Sequence, residues 1–590
     1  MEFKKLFDVF EYQLEHHPLQ CSLAEKVDGE WRGYSTKEVV EKCRAVSNGL
    51  YQYGIRPGDK VAIVATNRPA WNIMDIGIMS VGAVNVPVYP NISIDDYRYI
   101  FNHAEVKLAF VGDKTLYEKI LSIQQEIPSL EKIYTFNEVQ GAPHWSEILL
   151  GGEPYKKEVE AIKSAIDPDD LATIIYTSGT TGTPKGVMLS HRNIESNVKA
   201  GKPVLPVLPD MRILSSLPLC HVFERMVCYL FFYVGVSVYY AERIENLAES
   251  LNEVRPHFFT TVPRLLEKTY EKIINKGAEL KGIKKTLFDW SMRLTNNYKV
   301  DTFQNPFYEL QLAVARKLVF SKWKEALGGE IIGIVSGAAA LQPRLARIFN
   351  TAGIKVREGY GLTEASPAIA VNDFKRGKCM IGTVGPPLPG MEVKIEADGE
   401  ICVKGPNVML GYYRQPELTA TVIDEEAWLH TGDIGEMVGG RFLKITDRKK
   451  ELFKTSGGKY IAPQVIENYF KESFLIDHIM VIGENKKSVS ALIVPAIPSL
   501  TAWCEQQGIA FQTKEEMLKS QQVVKKFAEL RDEFNKKFSE VERVKKFVLV
   551  ADEWTVDTGE ITPTLKLKRK VIQEKYKQVI AEIYKDEIEN

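Results

Sequence analysis

This sequence of 590 residues has few cysteines, almost no net charge and few long apolar runs. The seven cysteines are odd in number and form no C-x-x-C pair, which argues against a disulfide framework and a structural zinc site and predicts a reducing, cytoplasmic setting. Lysine and arginine (76) almost balance aspartate and glutamate (77), so no field of the whole protein would recruit nucleic acid or an acidic membrane. Any anionic ligand must therefore be held by local groups.

The longest apolar stretch without a charge runs from Met226 to Ala241. It is shorter than the roughly 20 residues that span a bilayer and it contains Gly235 and Ser237, so we predict a buried helix followed by a strand. The N-terminal segment MEFKKLFDVFEYQLEHHP lacks the continuous apolar core of a signal peptide, and its apolar residues recur at helical spacing. We therefore expect neither a signal peptide nor a membrane-spanning helix.

Short β-prone runs alternate with helical patterns over most of the chain, which is typical of an α/β protein. Between Val254 and Glu330 the pattern becomes long and helical, which we interpret as a helical insertion between strands. From Gly382 to Phe453 the chain is rich in glycine, proline and short β-prone segments, which predicts a β-rich subdomain and a junction near residues 447–450. The strands predicted from apolar runs are 61–65, 83–89, 107–112, 171–177 and 330–337.

A chain of this length exceeds what one hydrophobic core usually supports. We predict a large α/β domain of layered sheets and helices with a β-rich subdomain, residues 1–447, and a small α+β C-terminal domain, residues 448–590. The C-terminal domain ends in an apolar helical stripe that serves as core or docking surface: Ile572, Tyr576, Val579, Ile580 and Ile583.

The stretch YTSGTTGTPKGVMLSH, residues 176–191, directly follows a predicted buried strand. Its glycines let backbone N–H groups approach a ligand closely, and its Ser and Thr hydroxyls and one lysine add further donors. This composition predicts a loop that wraps a polyphosphate. The nucleotide-loop pattern G-x-x-x-x-G-K-[ST] does not fit, because Lys185 precedes Gly186.

Two later loops carry groups that suit a nucleotide. REGYGLTEASP, residues 357–367, combines an aromatic ring, a hydroxyl and a carboxylate that could stack a base, touch a phosphate and ligate Mg²⁺. In WLHTGDIG, residues 428–435, Asp433 stands between Gly432 and Gly435. A carboxylate in this position can accept hydrogen bonds from both hydroxyls of a ribose. Taken singly, each of these is weak evidence, and an ordinary turn aspartate is the simpler interpretation of the second.

Two basic segments lie further along the chain. ITDRKKELFKTSGGKYIAP, residues 445–463, joins a cationic cluster to a Gly-Gly turn, and GEITPTLKLKRK, residues 559–570, brings several lysines into the C-terminal domain. A solvated charged face and a basic edge strand are the simplest interpretations of these two segments when each is considered alone.

The five segments occur together and in this order, which resembles the adenylate-forming superfamily of acyl-CoA synthetases, luciferases and peptide-synthetase adenylation domains. Within it the chain is most similar to the long-chain fatty acyl-CoA synthetases, through SSLPLCHVFER (215–225), KGPNVMLGYY (404–413), ITDRKKEL (445–452) and ITPTLKLKRK (561–570). The resemblance implies ATP-dependent activation of a long-chain fatty acid through an acyl-adenylate to acyl-CoA, with release of AMP and pyrophosphate. ATP, Mg²⁺ and coenzyme A would be the cofactor and co-substrates.

The resemblance also assigns site residues. Thr177 and Glu364 would share the Mg²⁺, Thr363 would contact the α-phosphate, and His221 would lie beside the incoming carboxylate. Glu358, Gly359 and Tyr360 would frame the adenine with Gly337 behind it, while Asp433 and Arg448 would hold the ribose. The loop over the ATP phosphates would consist of Thr177, Ser178, Gly179, Thr180, Thr181, Gly182 and Lys185.

The mobile C-terminal domain would supply the remaining groups. Lys566 matches the lysine that contacts the carboxylate and the α-phosphate, although Thr564 and Leu565 precede it where the family usually has Ser-Gly, which leaves Lys568 as a second candidate. Lys450 corresponds to the residue about which family members rotate this domain. Ser456, Gly457 and Gly458 would line the tunnel for the pantetheine thiol.

Other functions stay open at this point. The chain could be an acyl-AMP ligase that delivers to a carrier-protein thiol, a non-catalytic nucleotide or lipid binder that has kept the fold, or a luciferase-like oxygenase. The expected partners are a fatty acid and coenzyme A, with no nucleic acid, and a homodimer and a peripheral membrane contact are further expectations. The sequence shows no lipidation signal or polybasic terminus that would support membrane attachment.

Overall fold

The computed structural model describes residues 2–177, 183–242, 246–555, 558–562 and 566–585. The chain divides into two compact units, which we call the large unit and the C-terminal unit. The large unit consists of Met1–Leu341, Leu345–Lys394 and Cys402–His430, and the C-terminal unit of Gln342–Arg344, Ile395–Ile401 and Thr431–Asn590.

The strands lie throughout both units. In chain order they are β1 (Leu23–Val27), β2 (Glu30–Tyr34), β3 (Lys60–Val64), β4 (Val84–Pro87), β5 (Val106–Val111), β6 (Lys132–Thr135), β7 (Leu171–Thr177), β8 (Lys185–Ser190), β9 (Arg212–Ser215), β10 (Ser237–Tyr240), β11 (Phe258–Thr261), β12 (Gly333–Ser336), β13 (Val356–Gly361), β14 (Ala368–Val371), β15 (Glu392–Ile395), β16 (Glu400–Lys404), β17 (Gly411–Tyr412), β18 (Leu429–Val438), β19 (Phe442–Arg448), β20 (Phe453–Lys454), β21 (Tyr460–Ile461), β22 (Ile476–Ile482), β23 (Val489–Pro495) and β24 (Val544–Leu549).

The α-helices alternate with these strands. In chain order they are α1 (Val9–His16), α2 (Thr36–Tyr53), α3 (Pro69–Ser80), α4 (Ile94–Ala104), α5 (Lys114–Leu121), α6 (Lys156–Ala165), α7 (His191–Gly201), α8 (Val222–Val234), α9 (Leu247–Val254), α10 (Pro263–Ala278), α11 (Gly282–Leu294), α12 (Pro306–Ala315), α13 (Ser321–Glu325), α14 (Pro343–Thr351), α15 (Pro416–Ala420), α16 (Pro463–Phe470), α17 (Ile497–Gln506), α18 (Lys514–Lys519), α19 (Gln521–Asn535), α20 (Arg569–Lys575) and α21 (Lys577–Ile583).

Two sheets form the frame of the large unit. One has eight strands in the order β14-β13-β12-β11-β9-β10-β1-β2, and the other has seven in the order β17-β8-β7-β4-β3-β5-β6. The inner strands of both sheets pair in parallel, and antiparallel pairs stand at their edges. Parallel strands are buried on both faces, which explains why their sequences are nearly continuous apolar runs.

Helix α8 shows how the local sequence sets these elements. Its first backbone donors are capped by His221, whose Nδ1 accepts the N–H of Phe223 at 3.2 Å, and it ends at Gly235 in the left-handed conformation (φ +85°). Almost every side chain between these caps is buried, and strand β10 follows at once. The predicted buried helix and strand within Met226–Ala241 are therefore confirmed.

A buried charged network locks α8 to the seven-stranded sheet. The guanidinium of Arg225 donates to both carboxylate oxygens of Asp75, at 3.0 and 2.6 Å, and to the Thr173 hydroxyl on β7 at 2.8 Å. Tyr229 and Asn85 also donate to Asp75. Because both charges are fully buried, they persist only as a pair whose remaining hydrogen-bonding groups are satisfied.

The C-terminal unit has its own core. Strands β22, β23 and β24 form a three-stranded sheet, and β20 pairs with β21 in a short hairpin. The predicted apolar stripe of the last helices packs into this core, with Ile572, Tyr576 and Ile583 buried and Val579 and Ile580 packed against them. Strands β18 and β19 pair from Asp433–Arg448 to Val438–Phe442, which groups Thr431 onwards with this unit.

The predicted fold class is confirmed: the protein is a mixed α/β chain with several sheets and a separate C-terminal unit. Each of the five strands predicted from apolar runs overlaps a strand of the structure, and 171–177 coincides with β7. The predicted helical insertion is present as α10 to α13, and the β-rich segment holds β15 to β19. Within the described ranges no helix combines the length and apolar character needed to cross a bilayer.

Candidate active site

The predicted nucleotide residues of the large unit follow the carboxyl ends of strands. Strand β7 ends at Thr177, β12 leads into Gly337, and β13 contains Glu358, Gly359 and Tyr360. Ligands of open α/β sheets bind in the crevice outside these carboxyl ends, because loops and helix N-termini converge there. Strands β12 and β13 are neighbours in the eight-stranded sheet, whereas β7 belongs to the seven-stranded sheet.

A compact cluster joins the first loop to the second. Lys185 pairs with Thr177 across β7 and β8, and its ammonium lies 5.2 Å from the centre of the Tyr412 ring. The Tyr412 hydroxyl in turn donates to Oε1 of Glu364 at 2.9 Å. Burial raises the pKa of the Tyr412 phenol, so the group remains protonated and acts as the donor. A cation, an aromatic ring and a carboxylate thus stand beside the end of β7.

Thr363 and Glu364 lie on a short 3₁₀ turn, Thr363–Ala365, between β13 and β14. Thr363 is buried, whereas Glu364 is half-exposed and can reach a ligand. The predicted phosphate-loop residues Ser178, Gly179, Thr180, Thr181 and Gly182 lie outside the described residues.

The N-terminus of α8 borders the end of β12. A Cβ atom at Gly337 would lie 3.2 Å from the Phe223 ring, so this ring occupies the space a side chain would need. Since Nδ1 of His221 accepts the N–H of Phe223, the neutral imidazole carries its proton on Nε2. The positive end of α8 therefore borders Gly337, which is predicted to lie behind the adenine, and carries His221, which is predicted to lie beside the carboxylate.

Glu358, Gly359 and Tyr360 form the last part of β13. Ser336, next to Gly337, pairs with Glu358 in the parallel register, and the backbone N–H of Leu341 donates to the Glu358 carboxyl at 2.8 Å. Burial raises the pKa of this carboxyl to about 8. The structure thus brings Gly337 and the segment 358–360 side by side.

Glu224 is a neighbouring carboxyl that the sequence analysis did not single out. Its side chain is 1% exposed and accepts hydrogen bonds from Ser215 Oγ (2.6 Å) on β9 and Thr260 Oγ1 on β11. Burial raises the pKa of Glu224 to about 7. The carboxyl fastens the start of α8 to two strands of the eight-stranded sheet.

The raised pKa of Glu224 predicts a pH dependence of stability. In the folded protein the carboxyl keeps its proton up to about pH 7, whereas in the unfolded chain it loses the proton near pH 4.5, so its contribution is complete at low pH and is lost as the pH rises through 7. Glutamine does not titrate, so Glu224→Gln lacks this loss. Between pH 5 and pH 8 we expect the unfolding free energy of the native protein to fall, relative to that of the variant, by on the order of 2 to 3 kcal/mol. Urea unfolding of both proteins across this range tests it, and parallel pH profiles would contradict it.

Asp433 and Arg448 face each other in the C-terminal unit. They are register partners across β18 and β19, and Nε of Arg448 lies 3.3 Å from the Asp433 carboxylate. The next residue, Lys449, forms ion pairs with Asp398 at 2.7 Å and Glu400 at 2.8 Å. The two predicted ribose residues are thus brought together on one hairpin.

The predicted hinge and thiol-tunnel residues lie on turns of the same unit. Lys450 is exposed on the turn that follows β19. Ser456, Gly457 and Gly458 are exposed on the turn between β20 and β21, where Gly458 takes a positive φ of 75°. Their positions are compatible with contact to an incoming ligand.

Lys566 is half-buried, and its backbone carbonyl accepts the N–H of Thr562 at 2.8 Å. Three residues later, Arg569 forms ion pairs with Glu451 (2.8 Å) and Glu467 (2.5 Å). Because Glu451 follows Lys450 directly, Arg569 links the segment that follows Lys566 to the predicted hinge segment. Neither Tyr412 nor Arg569 was recognised from the sequence, although both lie in segments that carry the family resemblance.

Comparisons with known proteins identify the class of enzyme to which this fold belongs. A profile described as "AMP-binding enzyme" matches residues 10–413, and one described as "AMP-binding enzyme C-terminal domain" matches residues 451–588. The solved structure of the anthranilate CoA ligase AuaEII with anthranoyl-AMP is 17% identical, with a TM-score of 0.71 and 98% of each chain covered, and supports the fold.

Two curated relatives narrow the family. The long-chain-fatty-acid–CoA ligase FadD15 of Mycobacterium bovis is 33% identical over 575 residues, 95% of this chain and 94% of its own. The human long-chain-fatty-acid–CoA ligase 1 is 33% identical over 608 residues, 96% of this chain and 84% of its own. The chain therefore belongs to the long-chain-fatty-acid–CoA ligase family of the AMP-binding enzymes.

Proposed function

We propose that the protein activates a long-chain fatty acid with ATP to an acyl-adenylate and transfers the acyl group to coenzyme A, releasing pyrophosphate and AMP. The observation that carries this proposal is the Lys185–Tyr412–Glu364 cluster beside the end of β7, in a chain that matches curated long-chain ligases over nearly its whole length. A lysine that can hold phosphate oxygens and a carboxylate that can help to hold Mg²⁺ suit a bound nucleoside triphosphate.

In the first half-reaction a fatty carboxylate oxygen attacks the α-phosphorus of ATP in line with the leaving pyrophosphate. The protein has to position the reactants and stabilise charge, with no covalent intermediate of its own. Lys185 and Thr177 would hold phosphate oxygens, Thr363 would contact the α-phosphate, and Nε2 of His221 would donate to the carboxylate. Lys566 would neutralise the charge that develops between carboxylate and α-phosphate.

The donor set fits a magnesium ion that is bound mainly through phosphates. Among the described residues no group of three or more His, Cys, Asp or Glu side chains could hold a metal, and Mg²⁺ commonly takes one or two protein oxygens plus phosphate and water. The Glu364 carboxylate, held by Tyr412, and the Thr177 hydroxyl would supply these oxygens. When bound, the ion neutralises charge on the phosphates.

We propose the domains predicted from the sequence, 1–447 and 448–590, as the functional division, with rotation about Lys450 exposing the adenylate to the thiol. Asp433 and Arg448 would hold the ribose, Glu358, Gly359 and Tyr360 with Gly337 would frame the adenine, and Ser456, Gly457 and Gly458 would line the thiol path. We also propose the reducing cytoplasm as the location, because the seven scattered cysteines suggest no disulfide framework. A homodimer stays a prediction that sedimentation of the pure protein tests.

A panel of carboxylic acids tests the substrate. We expect CoA-dependent AMP formation to rise from acetate to long-chain acids, because each buried methylene contributes about 0.8 kcal/mol, and to cover a range of lengths, since neighbouring lengths differ by only about 1–3 kcal/mol. A maximum at acetate or benzoate would contradict the substrate class. AMP formation that requires a carrier-protein thiol in place of coenzyme A would favour an acyl-AMP ligase, and absence of ATP cleavage with every acid would favour a non-catalytic binder.

A further inference from the structure

The helical insertion of the large unit carries a row of exposed apolar side chains. Phe307 (67% exposed), Leu310 (63%), Val314 (41%) and Leu318 (50%) lie on α12 and the π-helical turn Arg316–Phe320 that continues it. Phe303, just before the helix, is 70% exposed. We call these five residues the apolar row.

The spacing of the apolar row places it on one side of the helix. Its helical members are separated by three or four residues, which makes them neighbours on a helical surface. Leu312, Ala315 and Phe320 point the other way and are buried. The helix therefore already has a buried face, and the apolar row is a second face that the large unit leaves uncovered.

The helix is firmly attached to its surroundings. The Tyr308 hydroxyl donates to the backbone carbonyl of Leu294 on α11 at 2.7 Å, and Nε of Arg316 donates to the backbone carbonyl of Thr351 at 2.9 Å. The cap of α12 is complete, with the Asn305 side chain accepting from Phe307 N and Tyr308 N. The apolar row is thus held outward by a fixed scaffold.

Basic residues are abundant in the segment that carries the row. Residues 281–325 contain nine lysines and arginines against four acidic residues, a net charge of +5 in a chain whose total is −1. Within the described residues, five exposed lysines of this segment take part in no ion pair with an acidic residue: Lys281, Lys284, Lys299, Lys317 and Lys322.

A second basic segment adjoins the row from elsewhere in the chain. Residues 375–378, Lys-Arg-Gly-Lys, are exposed. Nε of Arg376 donates to the backbone carbonyl of Asp301 at 3.3 Å, and the N–H of Gly377 donates to the Asp301 carboxylate at 3.1 Å. Asp301 is two residues from Phe303. Three of the four acidic residues of segment 281–325 already have partners: Asp289 pairs with Lys285, Asp301 accepts from Gly377 N and Glu309 accepts from Gln304 N. The fourth, Glu325, is exposed.

We propose that the apolar row and these basic residues form a peripheral docking surface for an anionic lipid bilayer. Exposed phenylalanine, leucine and valine can enter the boundary between headgroups and acyl chains, while flanking lysines are attracted to anionic headgroups. A second copy of the chain fits this surface poorly, since two such patches would bring like charges together. Docking rests on this surface alone and does not require the proposed catalytic function.

Co-sedimentation of the full chain with lipid vesicles tests the proposal. We expect binding to vesicles of equal parts phosphatidylglycerol and phosphatidylcholine, much weaker binding to pure phosphatidylcholine, and loss of binding at high salt. Leu310→Asp should lower the partition coefficient at least about tenfold, because it places a charge in the apolar contact. Lys317→Glu together with Lys322→Glu should lower it about 25-fold or more on anionic vesicles, since each reversed charge contributes roughly fivefold or more.

Matched variants control for general effects. Leu208, 61% exposed and outside the surface, is the counterpart of Leu310, so Leu208→Asp should bind like the native protein. The double variant Lys37→Glu and Lys114→Glu is the control for the charge reversal, because both lysines are highly exposed and lie outside the proposed surface. It should bind vesicles like the native protein. Thermal unfolding of each variant verifies folding. Equal binding by the Leu310 and Leu208 variants, or a Leu310-dependent dimer without vesicle binding, would overturn the proposal.

Discussion

Lys566→Ala is expected to slow acyl-adenylate formation by about 10²- to 10³-fold, the usual loss when one preorganised group that stabilises transition-state charge is removed. The reason is that a cation brought to the reacting carboxylate and α-phosphate acts on charge that develops only during the reaction. Fatty-acid-dependent exchange of pyrophosphate into ATP measures this step. ATP binding should be retained, because Lys566 belongs to the C-terminal unit and the proposed phosphate groups belong to the large unit.

Lys568→Ala is the matched control, since Lys568 is the alternative candidate two residues away. The backbone N–H of Lys568 donates to the backbone carbonyl of Glu560 at 2.7 Å. Truncation of the lysine side chain leaves that hydrogen bond in place. We expect exchange close to the native rate. Transfer of the acyl group from synthetic acyl-adenylate to coenzyme A should survive in both variants. A crippled Lys568→Ala protein beside an active Lys566→Ala protein would move the catalytic role to Lys568.

Glu364→Gln is expected to reduce kcat/KM for ATP by about 10²-fold or more and to raise the Mg²⁺ concentration needed for half-maximal rate. The variant keeps the size of the side chain but removes the anionic oxygen that a hard cation prefers. Titration of the initial rate with MgCl₂ at fixed ATP measures both effects. Glu392→Gln, an exposed glutamate of the large unit, should behave like the native protein.

Tyr412→Phe should also lower kcat/KM for ATP and raise the Mg²⁺ requirement, but by less than Glu364→Gln. It removes the hydroxyl that orients Glu364, and the loss of such a supporting hydrogen bond costs roughly 10- to 100-fold in metal affinity or activity. If Glu364→Gln and Tyr412→Phe both had the Mg²⁺ dependence of the native protein, Glu364 would not be a ligand of the metal.

The strand signals of this chain were strong because they are local. Leu171–Thr177 is a run of apolar and β-branched residues, and the structure makes it a strand with the same bounds. Gly235 and His221 likewise mark the ends of α8 through conformations and bonds that involve only nearby residues. For these elements a short window of sequence contains the whole physical cause.

The partners of the site residues were harder to foresee. Tyr412 meets Glu364 across 48 positions, and this contact depends on β17 pairing with β8 at the edge of the seven-stranded sheet. Burial raises the pKa of Glu224 to about 7, and this burial, like its contacts with Ser215 on β9 and Thr260 on β11, exists only in the folded chain. A glutamate in a helical pattern gives no local sign that it is buried.

The sequence by itself determined the α/β class, the order of the five functional segments and the residue types that suit a nucleotide, because periodicity and loop chemistry are properties of neighbouring residues. Only the tertiary structure decided which of these residues meet: Lys185 with Tyr412, Asp433 with Arg448, and Arg569 with Glu451 beside Lys450. The exposed row on α12 also became visible only there, since one helical pattern can face a core or solvent. Strand register and burial arise from contacts between distant segments, and no local pattern encodes them.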